Sequence, residues 1–221
     1  MSTRSQAASW AFVVLVAVTI AVAGDAAAAR IGAHLGIDRA GIDGDTPPST
    51  EYTGGTGIVA GVQGEIDLAH GLALSLQPSF VQKKTGLSIA PATRAGDATE
   101  LDLTFDYVSV PIVLKFAMAR GRTYVTGGLS ADFLNSATLS GAGSDQDVKR
   151  AFNDTSLGAV LGFGGVFPAG RTRFTAELRF VQGLSNMTTG SSAQELGALA
   201  PRLHSHGFEL IVGNLIPIGR P

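Results

Sequence analysis

The sequence predicts an all-β fold: an eight-stranded antiparallel up-and-down transmembrane β-barrel, preceded by a cleaved signal peptide. Three observations carry this expectation. The 221 residues are 45% apolar and only 15% charged, with mean hydropathy +0.25, too greasy for a disordered chain or an ordinary soluble domain. Beyond residue 23 no run of about eighteen apolar residues occurs, so no later segment suits a membrane-spanning helix. Instead, apolar residues recur at every second position in stretches of about ten, the length a tilted strand needs to cross a bilayer. A hydrophobic chain without such a helix satisfies its backbone in lipid by the other route, the closed barrel.

Residues 1–29 read as the signal peptide. Arg4 supplies the positive start, Trp10 to Ala23 the apolar core, and Asp25 to Ala29 the small-residue cleavage region. Cleavage after Ala29 is expected, with Ala23 as the alternative site. The cut removes Arg4 and Asp25, so the net charge of −2 is unchanged. Residues 30–221 then form one barrel domain. The absence of cysteine excludes disulfides and thiolate sites, and the charge balance gives no basis for a nucleic-acid partner.

The strands follow in order. Ile31 to Asp38 alternates Ile31, Ala33, Leu35 and Ile37 with Gly32, His34, Gly36 and Asp38. In 57–68, Ile58, Ala60, Val62, Ile66 and Leu68 oppose Gln63, Glu65 and Asp67; in 72–83, Leu72, Leu74, Leu76, Pro78 and Phe80 oppose Ser75, Gln77, Ser79 and Lys83. Segment 101–116 begins with Leu101, Leu103, Phe105 and Tyr107 on one face, then shifts its apolar phase to Val108, Val110, Ile112, Leu114 and Phe116. A one-residue bulge near Tyr107 is expected to restore the register. Segments 123–133, 157–167 and 173–181 alternate in the same way, with glycine filling the second row of 157–167. The last strand, about 206–217, is apolar on both faces, and its register stays open.

Short links at Ala69-His70-Gly71, Ala117 to Arg122 and Pro168 to Thr172 alternate with long polar links at about 39–55, 84–100, 134–153 and 185–204. Four long and three short connections are what eight antiparallel strands give when both termini face the periplasm. Phe80, Phe116, Phe133 and Phe167, near strand ends, suit interfacial girdles.

Alternation alone is symmetric, because a soluble lipocalin-like barrel also alternates, with its apolar face inward. The lipid-facing version is favoured: every charge in the clear strands sits on the non-apolar face, and a Lys or Arg facing mid-membrane would cost roughly 2–4 kcal/mol. The interior then holds Glu65, Lys115, Glu177 and Arg179, with Asp67 beside them and Asp132 and Arg173 nearer strand ends. Charges in a narrow lumen must pair. Arg179 and Lys115 are expected to bridge Glu65 or Glu177 across the barrel as a polar plug, with a gated ion path as the competing reading.

Several segments together carry a family resemblance: Gly61 to Ile66 leading to Leu74 to Phe80, then Phe105 to Phe116, Tyr124 to Gly128, Gly158 to Gly165 and Glu177 to Leu184. In order and spacing they resemble the PorT-like outer-membrane β-barrel family, whose most recognisable strand is matched by 107–115, running from Tyr107 through Pro111 to Lys115. The resemblance covers about 31 to 217 and implies an eight-stranded integral barrel. The departure is at the end, where Ile216 to Pro221 lacks the terminal aromatic of many such barrels. The secretion-system role of the founding member does not transfer on fold alone.

No catalytic, cofactor or metal residue is expected. His204 and His206 share a face by alternation, while Ser205 between them points to the other, so the three do not form a nucleophilic site. The glycines of 158–165 lack the Lys-Ser/Thr of a phosphate loop. The expected role is non-enzymatic: an outer-membrane barrel held by the lipid bilayer, structural or acting as a platform for an envelope protein through its long loops. The alternatives are a narrow transport channel and a soluble ligand-binding barrel.

Overall fold

The computed structural model describes residues 29–44, 50–89, 99–118, 121–141, 144–188 and 203–218. Residues 1–28, and with them most of the expected signal peptide, lie outside the described residues. β1 (Ala29–Gly44), β2 (Thr50–Ala69), β3 (Leu72–Leu76), β4 (Ser79–Ile89), β5 (Thr99–Met118), β6 (Thr123–Gly141), β7 (Ser144–Asp147), β8 (Thr155–Ala169), β9 (Thr172–Gly183) and β10 (Leu203–Ile218) pair antiparallel throughout.

These segments reduce to eight spanning strands. β3 and β4 are one strand interrupted at Gln77-Pro78: both pair with β2 and with β5 in a single register, running from Leu76↔Ile112 to Ser79↔Ser109. Pro78 has no N–H to give the ladder, yet its carbonyl accepts Val62 N–H at 3.1 Å and Pro111 carbonyl accepts Gln77 N–H at 3.0 Å. β7 only folds back on the end of β6 as a short hairpin. Each spanning strand thus pairs with its sequence neighbours, and β1 pairs with β10, which closes the ring and leaves no spanning strand at an edge.

Closure fixes the last strand's register, from Ala29↔Ile218 to Gly44↔Leu203. Backbone pairing lapses between Ile31↔Ile216 and His34↔Gly213, where Asn214 Oδ1 accepts the Ala33 N–H at 3.1 Å and Gln63 donates to the Asn214 carbonyl at 3.0 Å. Gly32 lies so close to that carbonyl that any Cβ there would overlap it. The three short turns each place one glycine at positive φ: Gly71, Gly121 and Gly170, at 76°, 78° and 61°.

The outer wall carries a continuous apolar belt. Ile31, Leu35, Ile58, Val62, Ile112, Leu129, Leu161, Phe163, Leu178, Leu210 and Val212 are all exposed, Leu161 to 63%. On β5 the belt covers 108–118, which at about 3.3 Å per residue and a tilt of about 40° spans roughly 25–30 Å, a hydrocarbon thickness. Phe80 and Phe133 flank Val108 at one margin, and Phe116, Phe167 and Phe174 lie at the other. Inside stand Glu65, Lys115, Glu177 and Arg179 at 7, 6, 4 and 3% exposure. That is the reverse of a soluble barrel and corrects the lipocalin-like alternative.

Two other expectations change. The links at 39–55, 84–100 and 134–153 are in part strand: β1 and β2 run on to Gly44 and from Thr50, β4 and β5 to Ile89 and from Thr99, and β6 to Gly141. The barrel therefore stands well beyond the belt on its long-loop side. Second, β5 has no phase shift of its own. Leu103, Phe105, Tyr107, Ser109, Val113 and Lys115 all face inward and are buried. The register shift does fall between Asp106 and Tyr107, but the extra residue is Asn135 on β6, because Asp106 pairs with Ser136 and Tyr107 with Leu134. What changes at Tyr107 is the surroundings. Above it the outer face is polar (Asp102, Thr104 and Asp106, with Gln82 and Ser136 bonded to Asp106), and the inner face is apolar. Water outside and a packed core inside produce that inversion.

Candidate functional site

The interior is built in three tiers along the barrel axis. At the short-turn end, Arg30 on β1 donates to Glu65 at 2.8 Å and to both oxygens of Asp67, at 2.8 and 2.5 Å. Lys115 on β5 reaches over the intervening strand to Glu65 Oε2 at 3.0 Å, and its ammonium lies 5.2 Å from the centre of the Tyr124 ring. These groups line a cavity of about 510 Å³ that opens toward the turns.

The middle tier centres on Glu177 and Arg179, which project inward from β9. Glu177 accepts hydrogen bonds from Tyr124 and Thr126 on β6, each at 3.0 Å, and from the Arg179 guanidinium at 2.9–3.0 Å. β8 lies between β6 and β9, and its inward row at this level is Gly162 and Gly164. A Cβ at Gly164 would overlap the Tyr124 ring, and one at Gly162 would crowd Thr126 and Glu177. The glycine row therefore exists so that side chains from two flanking strands can meet over a third. Arg179 also crosses the lumen to Gln77 Oε1 at 2.6 Å and approaches Glu209 at 3.7 Å. Gln77 is held by Ser75, and His34 Nε2 meets Ser79 Oγ at 2.8 Å. Ser109, the cross-strand neighbour of Ser79, donates to Asp132.

The four residues singled out in the sequence thus belong to one network, but they pair within two groups: Lys115 with Glu65, and Arg179 with Glu177 two residues away on the same strand. The cross-barrel link is Arg179 to Gln77 rather than carboxylate to cation. Arg30 was not anticipated. It precedes the first alternating pair, and only the β1–β2 register, which sets Arg30 opposite Glu65, reveals its role.

The upper tier is apolar. Val59, Val81, Leu103, Phe105, Tyr107, Leu134 and Ile211 from the wall pack with Val148, Ala151, Phe152 and Met187, which fold over the end of the barrel. Phe152 meets Phe105 edge-on with ring centres 4.8 Å apart. Two asparagines pin this cap: Asn153 Nδ2 donates to the Asn186 carbonyl at 2.9 Å, and Asn186 Oδ1 accepts the Leu203 N–H at 3.0 Å. Lys83, just below, sits 5.5 Å from the Tyr107 ring centre. The interior is thus an open vestibule, a hydrogen-bonded ionic girdle and a greasy lid in series.

His204 and His206 face outward near the long-loop end, with the His206 ring packed on Gly41, while Ser205 lies against Gly183. Among the described residues no group of three or more His, Cys, Asp or Glu is arranged to hold a metal ion. No described helix is long and apolar enough to cross a membrane.

The family model described as outer membrane protein beta-barrel domain matches residues 21–189. Among curated proteins, none matches the chain. Similar solved structures include Ail, the attachment invasion locus protein of Yersinia pestis (TM-score 0.45, 14% identity, 86% of this chain and 99% of that one). Neisserial surface protein A gives 0.43 and 13%, over 85% and 97%. OprG from Pseudomonas aeruginosa gives 0.42 and 12%, over 88% and 97%.

Proposed function

The chain belongs to the family of proteins with the outer membrane protein β-barrel domain, and on that premise we propose that it is a non-enzymatic, non-conducting barrel serving the envelope structurally and as a binding platform at its long-loop end. Its belt lies in the lipid of the outer membrane, with the short turns on the periplasmic side. The observation that carries the reading is the filled interior. Arg179 and Gln77 bond across the lumen at 2.6 Å, and Phe105, Phe152, Met187 and Leu203 pack above them. An ion path would have to break both layers.

The projecting end supports the platform. Its described outer face carries hydrogen-bonded polar sheet, a rigid surface of the kind that docks another envelope protein at low entropic cost. A finer kinship with the PorT-like family is supported by the strand from Tyr107 to Lys115, whose Tyr107, Pro111 and Lys115 are all buried toward the interior.

Planar-bilayer recording tests the reading. The reconstituted protein is expected to give no stable unitary conductance. Defined current steps that grow when Arg179→Ser removes the cross-lumen side chain would replace it with the narrow channel.

A further inference from the structure

The vestibule at the periplasmic end has features that neither the barrel scaffold nor the platform requires. It is blind: its inner end is sealed where Tyr124 bonds to Glu177 and Arg179 to Gln77, so whatever enters must leave by the same mouth. Its charges do not balance. Three cations, Arg30, Lys115 and Arg173, line it against two carboxylates, Glu65 and Asp67. Both carboxylates are engaged, Glu65 by Arg30 and Lys115 and Asp67 by both nitrogens of Arg30. Arg173 has no hydrogen-bond or ion-pair partner among the described residues. Arg122 and Arg171 in the adjoining turns add charge of the same sign at the rim. A concave site with low-dielectric walls concentrates such a field.

The chemistry of the lining narrows the ligand. A guanidinium presents a planar fork that fits a carboxylate through two parallel hydrogen bonds. One uncompensated positive charge matches a monoanion better than a phosphate dianion, which Glu65 and Asp67 would repel. Leu215, paired directly with Arg173, and Val166 also line the cavity, so apolar wall adjoins the fork. The volume of about 510 Å³ lies in the range of small-ligand sites.

We infer that the vestibule binds a monoanionic carboxylate attached to a small apolar residue, as at the C-terminus of a short periplasmic peptide, with Arg173 as the carboxylate fork. This goes beyond the platform, which concerns the opposite end of the barrel.

The test uses the full chain in lipid nanodiscs, titrated calorimetrically with acetyl-dialanine, its C-terminal amide and inorganic phosphate. Acetyl-dialanine is expected to bind saturably, with at least a tenfold loss for the amide and for Arg173→Gln. Arg171→Gln, at the rim outside the cavity, is expected to retain affinity to within about twofold. The comparison of acid with amide is made on the unaltered protein and does not depend on any variant folding. Absence of saturable binding, equal affinity for acid and amide, unchanged affinity in Arg173→Gln, or phosphate binding more tightly than the peptide would each overturn the assignment.

Discussion

At the residue scale, the informative positions are those with no side chain. Gly162 and Gly164 alternate with Leu161 and Phe163, and from sequence they are simply the empty face of a strand. The structure gives them a purpose: their missing Cβ atoms are the space occupied by Thr126, Tyr124 and the Glu177 carboxylate. Gly164→Ala is therefore expected to destabilise the barrel by about 1–3 kcal/mol through overpacking, whereas Ala159→Gly, on the lipid side of the same strand, has no such partner to relieve. Folded fractions on unheated gels across a urea series measure both. The pair over those glycines makes a sharper case. Arg179→Met leaves Glu177 buried with its main cationic partner gone, a loss of about 3–5 kcal/mol for a buried ion pair. Adding Glu177→Gln removes the orphaned charge and is expected to recover a good part of it. If the double variant is as unstable as the sum of the two singles, the pair is not the unit that holds the girdle together.

At the scale of the element, β5 shows what sequence alternation does and does not report. Period-two patterning records a contrast between two faces, and it located the strand. It does not say whether the apolar face points outward or inward, since water outside a packed core and lipid outside a polar core give the same period with opposite sign. The swap of apolar phase at Tyr107 therefore read as a bulge in β5. The strand in fact keeps Leu103, Phe105, Tyr107, Ser109 and Lys115 on one side throughout. The phase swap marks where β5 leaves the bilayer, and the actual insertion, Asn135, was hidden on β6 because a single extra residue between Leu134 and Ser136 is invisible without the partner's register. The site was partly legible for the same reason. Inward charges stood out within alternating strands, but their partners depend on which strands adjoin, and Arg30 and Gln77 needed the closed ring. If the boundary lies at Val108, Ile112→Lys costs about 2–4 kcal/mol as a mid-membrane lysine, while Thr104→Lys, on the same face of the same strand, costs close to nothing. Equal costs would move the boundary.

At the scale of the molecule, the barrel is electrically lopsided along its axis. Among the described residues of the projecting end, Glu100, Asp102, Asp106, Asp145, Asp147 and Asp154 outnumber Arg39, Lys84, Lys149 and Arg150. At the other end, among the described residues, Arg122, Arg171 and Arg173 stand beside Glu65 and Asp67, both already bonded to Arg30. The aromatic margins and the three glycine turns bracket the belt, so the molecule has one long hydrated end, one short basic end and a single height at which it fits a bilayer. The orientation we propose rests on how such barrels assemble: the turns pass no large polar segment through the membrane and stay on the periplasmic side, while the longer connections emerge outside. Since the chain has no cysteine, the direction can be read without background. Asp145→Cys, on the exposed β6–β7 hairpin, should react with a membrane-impermeant maleimide on intact cells. His70→Cys and Arg171→Cys, in two of the glycine turns, should react only after the outer membrane is permeabilised. Labelling of the turn cysteines on intact cells would turn the barrel over. The acidic end would then face the periplasm and the vestibule with Arg173 would open to the medium, where no periplasmic peptide could reach it.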